Sequence, residues 1–379
     1  MNARNKQFAG AMLLVAVAAC TALAPACAAR TATGAAPGAA ASAISPAATS
    51  VPTSTPVATR TVVPTITIAA VGDLCFASSV RRLIGTGGAK APFRSVHARL
   101  TAADVTIGNL ECALSTKGRA VAGKKYTFEG PPSAIAGLKW AGFDLVAQGN
   151  NHARDYGSSA LKDTISRLNK AKIKHAGAGA TSKSAFAATY ITRNGAKIAF
   201  LSYSQIGPAN FKATRHGAGT AFTQRLATVT KAIKRAHKKA DYVIVSFHWG
   251  IERQYPPTAT QVKFGRAAIR AGANVVLSHH PHVIEGVEFY RKGLIAYSLG
   301  NFVFSPGSPA GHDTLILNLS LGPKGVRNVV ATPVQIDPNG RPRYTTGATR
   351  SRILGTIKRT SRARHTHVSV SKGRAKLRK

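Results

Sequence analysis

The chain has 379 residues, of which 52 are Lys or Arg and 13 are Asp or Glu, for a formal net charge of +39. Hydrophobic residues make up 44%, enough to bury a core, so wholesale disorder is excluded. The 4 Cys form no CxxC pair, which excludes a disulfide-dense scaffold and a zinc ribbon, while the charge calls for a polyanionic partner: nucleic acid, an acidic cell-wall or capsule polymer, or anionic lipid.

Residues 1–29 read as an export signal. Arg4 and Lys6 supply a positive start, Phe8 to Ala19 form an uncharged apolar run too short for a membrane span, and small residues follow. Two processing readings stay open. Ala26-Cys27-Ala28 fits a small-x-small site for ordinary signal cleavage, whereas Val17-Ala18-Ala19-Cys20 resembles a bacterial lipobox that would place a lipid on Cys20. Either way the protein is expected outside the cytoplasm, secreted or lipid-anchored, so chromosomal nucleic acid is not the expected partner and disulfides are permitted. Residues 30–64 are rich in Ala, Thr, Ser, Pro and Gly, with Arg30 and Arg60 their only charges, and read as a disordered tether.

Patterned sequence runs over residues 65–337. Thr65–Val71, Val105–Ile107, Asp144–Ala147, Tyr242–Phe247 and Asn274–Leu277 are short apolar runs ended by Gly or polar residues, as buried strands are. Helical stretches fall at about Gly157–Ala171, Phe222–Lys239 and Thr258–Ala271. Ala188–Ile191 with Lys197–Tyr203, and Val287–Tyr290 with Leu294–Ser298, predict hairpins around Arg193-Asn194-Gly195 and Arg291-Lys292-Gly293. Strand–helix alternation predicts an α/β fold with a largely parallel sheet, and the late hairpins add antiparallel strands. From Arg341 onward there is no Asp or Glu while Lys and Arg recur to the end. Residues 338–379 are therefore expected to be a disordered basic tail, extended by its own repulsion, serving either solubility or polyanion binding.

Ligands of open α/β sheets bind beyond the carboxyl ends of the strands. Asp73, Asn109, Glu111, Asn151, His152, His248, His280 and His282 all follow one of these strands. Carboxylate, amide oxygen and neutral imidazole together suit Mn, Fe, Zn or Mg. Each residue has a bland alternative as a cap, turn or core imidazole. Ser278-His279-His280-Pro281-His282 is the hardest to explain that way, and the coincidence of all of them favours a divalent metal site. Cys75 and Cys112 lie just past two of the strands and are either a disulfide or two buried thiols. Phe76, Trp249, Tyr255, Phe302 and Phe304 either line a groove or belong to the core.

AVGDLCF (Ala70–Phe76), IGNLECAL (Ile107–Leu114), QGNNHARDYG (Gln148–Gly157), FHWGIE (Phe247–Glu252), SHHPHVIEGVE (Ser278–Glu288) and YSLGNFVF (Tyr297–Phe304) resemble, in order and spacing, the motifs of the CapA family of bacterial capsule-synthesis proteins, which is associated with poly-γ-glutamate. That family is similar to calcineurin-like metallophosphoesterases. The resemblance implies a metallophosphoesterase-like α/β sandwich with mixed sheets over residues 65–337. It also implies metal ligation by Asp73, Asn109 or Glu111, Asn151, His248, His280 and His282. His152 would be the proton donor, oriented by Asp155. Cys75 stands where a phosphoesterase has His, and Asn109 where it has Asp, so an imidazole and an anionic bridge are missing.

Two functions follow as expectations. One is an exported capsule or exopolymer factor that guides or processes an acidic polymer such as poly-γ-glutamate or another envelope polyanion, with a membrane polymer synthase or export complex as protein partner. The other is a secreted metal-dependent phosphoesterase acting on a phosphorylated lipid, nucleotide or polymer.

Overall fold

The computed structural model describes residues 63–379. The expected export signal, the Cys20 lipidation site and the tether as far as residue 62 lie outside the described residues.

Alternation along the first strand, Ile66–Leu74, decides the layering. Ile66, Ile68 and Ala70 pack with Val105 and Ile107 against Ile198, Phe200, Ile244 and Leu277 of a second sheet. Ala69 and Val71 point the other way, onto Val80 and Ile84 of the helix Ser78–Gly87 and Leu138 of the helix Ala134–Trp140. The second sheet repeats the plan. Ala199, Val243 and Val245 meet Val229 and Ile233 of the helix Leu226–His237 and Ala268 of the helix Ala259–Arg270. Strands covered on both faces need apolar side chains in both directions, so they read as continuous runs. The result is the α/β sandwich of mixed sheets that the sequence predicts.

In the larger sheet Ile66–Leu74, Val105–Leu110, Phe143–Ala147 and Lys174–Ala176 run parallel, and Asp313–Gly322 and Gly325–Ile336 extend it antiparallel from the Ile66–Leu74 side. In the second sheet Ala196–Ser204, Tyr242–His248, Val275–His279 and Gly293–Leu299 are parallel, flanked by the antiparallel strands Thr189–Arg193 and Ile284–Tyr290. Both hairpins form as expected. Asn194 at φ 49° and Gly195 at φ 83° supply the pair of positive φ values that a tight two-residue hairpin turn requires. The helix Ala259–Arg270 starts at a capping box, with Thr258 Oγ1 accepting from Gln261 N at 3.2 Å and Gln261 Oε1 accepting from Thr258 N at 2.8 Å.

Residues 338–379 are not a disordered tail. Pro342–Tyr344 and Arg374–Arg378 pair with Gly325–Ile336, and His367–Ser371 pairs with Arg374–Arg378 to form the edge of the larger sheet. The helix Gly347–Arg362, hereafter the C-terminal helix, packs on the strand Ile284–Tyr290. The approach is close: a Cβ on Gly286 (φ 96°) would lie 2.6 Å from the Thr360 carbonyl carbon, and Ser361 Oγ accepts from Val287 N at 3.1 Å. The charge run conceals an apolar pattern. Val368, Ala375 and Leu377 recur at strand spacing and Ile353, Leu354 and Ile357 at helix spacing, and all are buried. The Lys and Arg heads stay in water, where salt screens their repulsion, so burial of the apolar stripe decides the outcome. Replacing Ile353, fully buried in the inter-sheet core, by Ala is expected to lower unfolding stability by about 2–4 kcal/mol, measured by chemical denaturation; a disordered segment would give no change.

Candidate metal centre

The parallel strands of both sheets end on the same side, and their terminal residues meet there. Asp73 is in register with Asn109, and His248 with His279. Asp73 is placed by a crossing that only glycine permits: a Cβ on Gly72 would lie 1.9 Å from Gly300 O, and Asp73 N donates to that same oxygen at 3.0 Å. Asp73 is fully buried, with His279 Nδ1 3.1 Å from its Oδ1 and His282 Nδ1 3.2 Å from its Oδ2.

Asp73, Glu111 and His248 offer ligand atoms within 4.8 Å of one another, and so do Glu111, His280 and His282. Glu111 belongs to both groups. Its Oε1 lies 3.5 Å from His248 Nε2 and 4.0 Å from His152 Nε2. Glu111 Oε1, Asn151 Oδ1, His248 Nε2 and His280 Nδ1 are buried without an aligned hydrogen-bond partner. Orphaned buried atoms of this kind are rare, and those of Glu111, His248 and His280 belong to residues that bring ligand atoms together, as a cation site does.

The electrostatics agree. Burial opposes the charge on Asp73, yet the neighbouring His279 and His282 outweigh it and hold the carboxyl well below its ordinary range. Burial, then the charge of Asp73, push Glu111 well above its range. Burial, then His280, hold His248 well below the usual imidazole range, and burial takes His280 down to about 3. Burial also depresses His282, but the hydrogen bond and charge of Asp73 prevail and raise it. Two carboxyls share a buried space with imidazoles, and the charge on Asp73 opposes the charge on Glu111. A divalent cation removes that conflict, so the residues present fit one. His280 at φ 97° and His282 at φ 58° hold backbone conformations that side chains larger than glycine rarely adopt, and such strain persists where surroundings enforce it.

Asn109 reaches the centre but turns its donor inward. Its Nδ2 donates to Asp73 Oδ1 at 2.9 Å, and its Oδ1 accepts from Asn150 Nδ2 at 3.0 Å. With its oxygen engaged it orients the ligands, and Glu111 is the residue that offers a free oxygen between the two groups. His152 Nδ1 lies 2.6 Å from Asp155 Oδ2, which also accepts from Phe128 N at 2.7 Å. Asp155 therefore holds the ring with Nε2 toward Glu111.

Four participants escaped sequence reasoning. His279 and Asn150 sat unassigned inside their motifs. Asn301 accepts from His282 Nδ1 at 2.8 Å and lies in register with Asp73. Lys124 comes from a loop with no motif; its Nζ contacts Asp155 Oδ1, donates to Asn151 O at 2.7 Å and lies 3.1 Å from His152 Nδ1. Cys75 and Cys112 are buried free thiols, with Phe76 N donating to Cys112 Sγ at 3.4 Å. Phe76, Trp249 and Phe302 are core residues, Phe304 is nearly so, and Tyr255 is half-exposed.

Residues 67–306 match the bacterial capsule synthesis protein PGA_cap family. The chain belongs to this family. It is 30% identical over 289 residues to the capsule biosynthesis protein CapA of Bacillus anthracis, covering 75% of this chain and 70% of that one. It is 31% identical over 273 residues to the PGA biosynthesis protein CapA of Bacillus subtilis (strain 168), covering 72% of each chain. Among solved structures it is similar to the Haemophilus influenzae NAD nucleotidase, with a TM-score of 0.42 and 14% identity over 78% of this chain and 63% of that one. The PGA_cap match takes in every residue of the centre described above and stops before the C-terminal helix.

Glu285, in the same motif as His280 and His282, faces away from the centre and accepts from Gln261 Nε2 at 2.6 Å. Burial pushes its carboxyl up to about 9, so it is neutral in the fold at pH 7 and ionised in the unfolded chain. The stability it supports is whole below the unfolded carboxyl range and is lost as pH rises toward 9, at up to about 1.4 kcal/mol per pH unit. Glu285→Gln is expected to flatten that part of the stability–pH curve, read as Tm between pH 5 and 9; an unchanged slope would refute the assignment.

Proposed function

We propose that the protein is an exported factor of capsule or exopolymer synthesis that binds an acidic polymer, such as poly-γ-glutamate, and acts on it at a divalent metal centre. Membership of the PGA_cap family and the formal charge of +39 support the polymer. The observation that carries the metal centre is the sharing of Glu111 between two ligand groups. Asp73, Glu111 and His248 would hold one cation. Glu111, His280 and His282 would hold a second, with Asn151 adding its unpartnered amide oxygen. The donor set suits Mn, Fe, Zn or Mg. A bound divalent cation supplies polarisation of a carbonyl or phosphoryl oxygen and acidifies water.

The remaining chemistry belongs to the chain. His152 presents Nε2 to the centre and carries a proton at that atom to or from the reacting group, while Asp155 fixes the opposite edge of the ring. Lys124 ties Asp155 to the backbone of Asn151, so ligand and acid–base residue move as one unit. A membrane synthase or export complex would deliver the polymer. Phosphoester hydrolysis is the second reading, favoured by the same His152–Asp155 pair beside the ligand groups.

The test is metal analysis of the purified protein beside His280→Ala/His282→Ala, with turnover of poly-γ-glutamate, phosphodiester and phosphomonoester substrates on the same samples. Near-stoichiometric metal is expected in the wild type. In the variant, affinity should fall by about 100-fold or more and turnover should vanish, with the circular dichroism spectrum retained. A folded protein that takes up none of the four metals would overturn the proposal. Phosphoester turnover without polymer turnover would select the second reading.

A further inference from the structure

A cleft of about 780 Å³ is lined by loops that follow His248 and Asn301 in the chain and by the C-terminal helix. One wall is the segment Pro306–Ala310 with His312, another is Tyr255, and the third is Arg352 of the C-terminal helix. Residues close in the chain to two of these walls are hydrogen-bonded to the histidine segment or to its partner Asn301. Asn301 Nδ2 donates to Gly311 O at 3.0 Å while its Oδ1 accepts from His282 Nδ1 at 2.8 Å. Arg253 N, two residues before Tyr255, donates to Pro281 O at 2.8 Å. The chain that carries Ala310 and His312 is thus joined through Asn301 to His282.

The helical wall is basic. Arg352, Arg359 and Arg362 are exposed and recur at spacings that place them along one face, with about 10 Å from the first to the second and about 15 Å to the third. Gly355 lies between Arg352 and Arg359 on that face, and a Cβ there would meet nothing within 4 Å, so the row has an open gap, the trough of the helix face, at that position. The Arg359 guanidinium sits 5.8 Å from the centre of the ring of Tyr255, itself a wall of the cleft. Arg352 gives one donor to Asp313, the only acid lining the cleft, and its remaining donors have no partner among the described residues. A charged helix face is ordinarily just solvated. Here the row has an open trough, an aromatic support and a cleft of small residues at its end.

We propose that this cleft and the arginine row are a subsite for an extended polycarboxylate chain, seating successive carboxylates while a neighbouring unit lies at the metal centre. The inference rests on the acidic-polymer reading above. Tyr255 and Pro306 fall inside the residues matched by the PGA_cap family whereas the arginine row lies beyond them, and guanidinium forks are suited to carboxylate in particular.

The experiment measures binding of fluorescent poly-γ-glutamate to the purified protein across a NaCl series, with free glutamate and a single-stranded oligonucleotide as comparators. Arg359→Ala/Arg362→Ala is expected to weaken polymer binding and lower the salt slope by about 1.4, roughly 0.7 per charge removed. Gly355→Glu, which favours the helix yet sets a carboxylate in the trough, is expected to weaken binding by roughly tenfold or more, whereas Gly355→Ala leaves it intact. Arg374→Ala/Lys376→Ala, on the strand next to the edge of the larger sheet, controls for net charge and should have a much smaller effect. Intact binding in all helix variants, or equal losses from the strand variant, would overturn the subsite and leave the metal-centre proposal standing. Oligonucleotide binding that is as tight and equally impaired would overturn the polycarboxylate assignment, as would free glutamate binding as tightly as the polymer. A wild type that binds no polycarboxylate at any salt would overturn both the subsite and the acidic-polymer reading.

Discussion

Asp73 is a buried carboxylate at the seam between two sheets, and its neighbours are arranged around the difficulty of keeping it ionised there. His279 and His282 come within 3.2 Å of its oxygens, and Asn109 donates to it at 2.9 Å. These partners arrive from both sheets and from the turn after Val275–His279. The charge is affordable only where all of them converge, so the register of Gly72 against Gly300 governs the site. A shift of one residue in either strand would send Asp73 into an apolar layer.

The sandwich provides the rigidity this requires. The strand Tyr242–His248 ends at His248, and Trp249 beyond it is stacked on Phe247 with ring centres 4.4 Å apart, its Nε1 donating to Tyr297 O at 3.0 Å. That anchored core backs the strained backbone at His280 and His282. The C-terminal helix adds a second brace. It packs on Ile284–Tyr290, the strand that leaves the histidine segment, through Gly286 and Ser361. Local strain at the candidate ligand residues His280 and His282 is sustained by packing elsewhere, in the strand, the tryptophan and a helix far along the chain.

Charge is divided between inside and outside. Asp73, Glu111 and Asp155 serve the centre, and Glu285 and Glu288 are interior. Glu129, Asp144, Asp163, Asp313 and Asp337 are each paired with an arginine. Few acids are left to offset the basic surface, so a long-range positive field surrounds a centre whose own carboxyls are buried. Such a field attracts polyanions from a distance that salt shortens.

Strand and helix runs and both hairpins were legible in the sequence because alternation and turn residues act over a few positions. The candidate ligands were legible for a related reason: strands of an α/β sheet end in the same direction, so polar residues after each strand must gather. Lys124 was invisible, because a lysine in an unpatterned loop carries no local signal of the Asp155 it will meet. The different roles of Asn109 and Glu111 were also undecided until side chains were placed, since both follow the same strand and only the third dimension shows whose oxygen is already engaged. The basic C-terminus misled for a physical reason. Charge is counted residue by residue, but folding weighs whether the apolar residues between the charges find a surface, and the surface for Ile353, Ile357 and Leu377 is supplied by strands distant in sequence. Local chemistry is written in neighbouring residues; which groups share a buried space depends on long-range packing, and only the tertiary structure decided that.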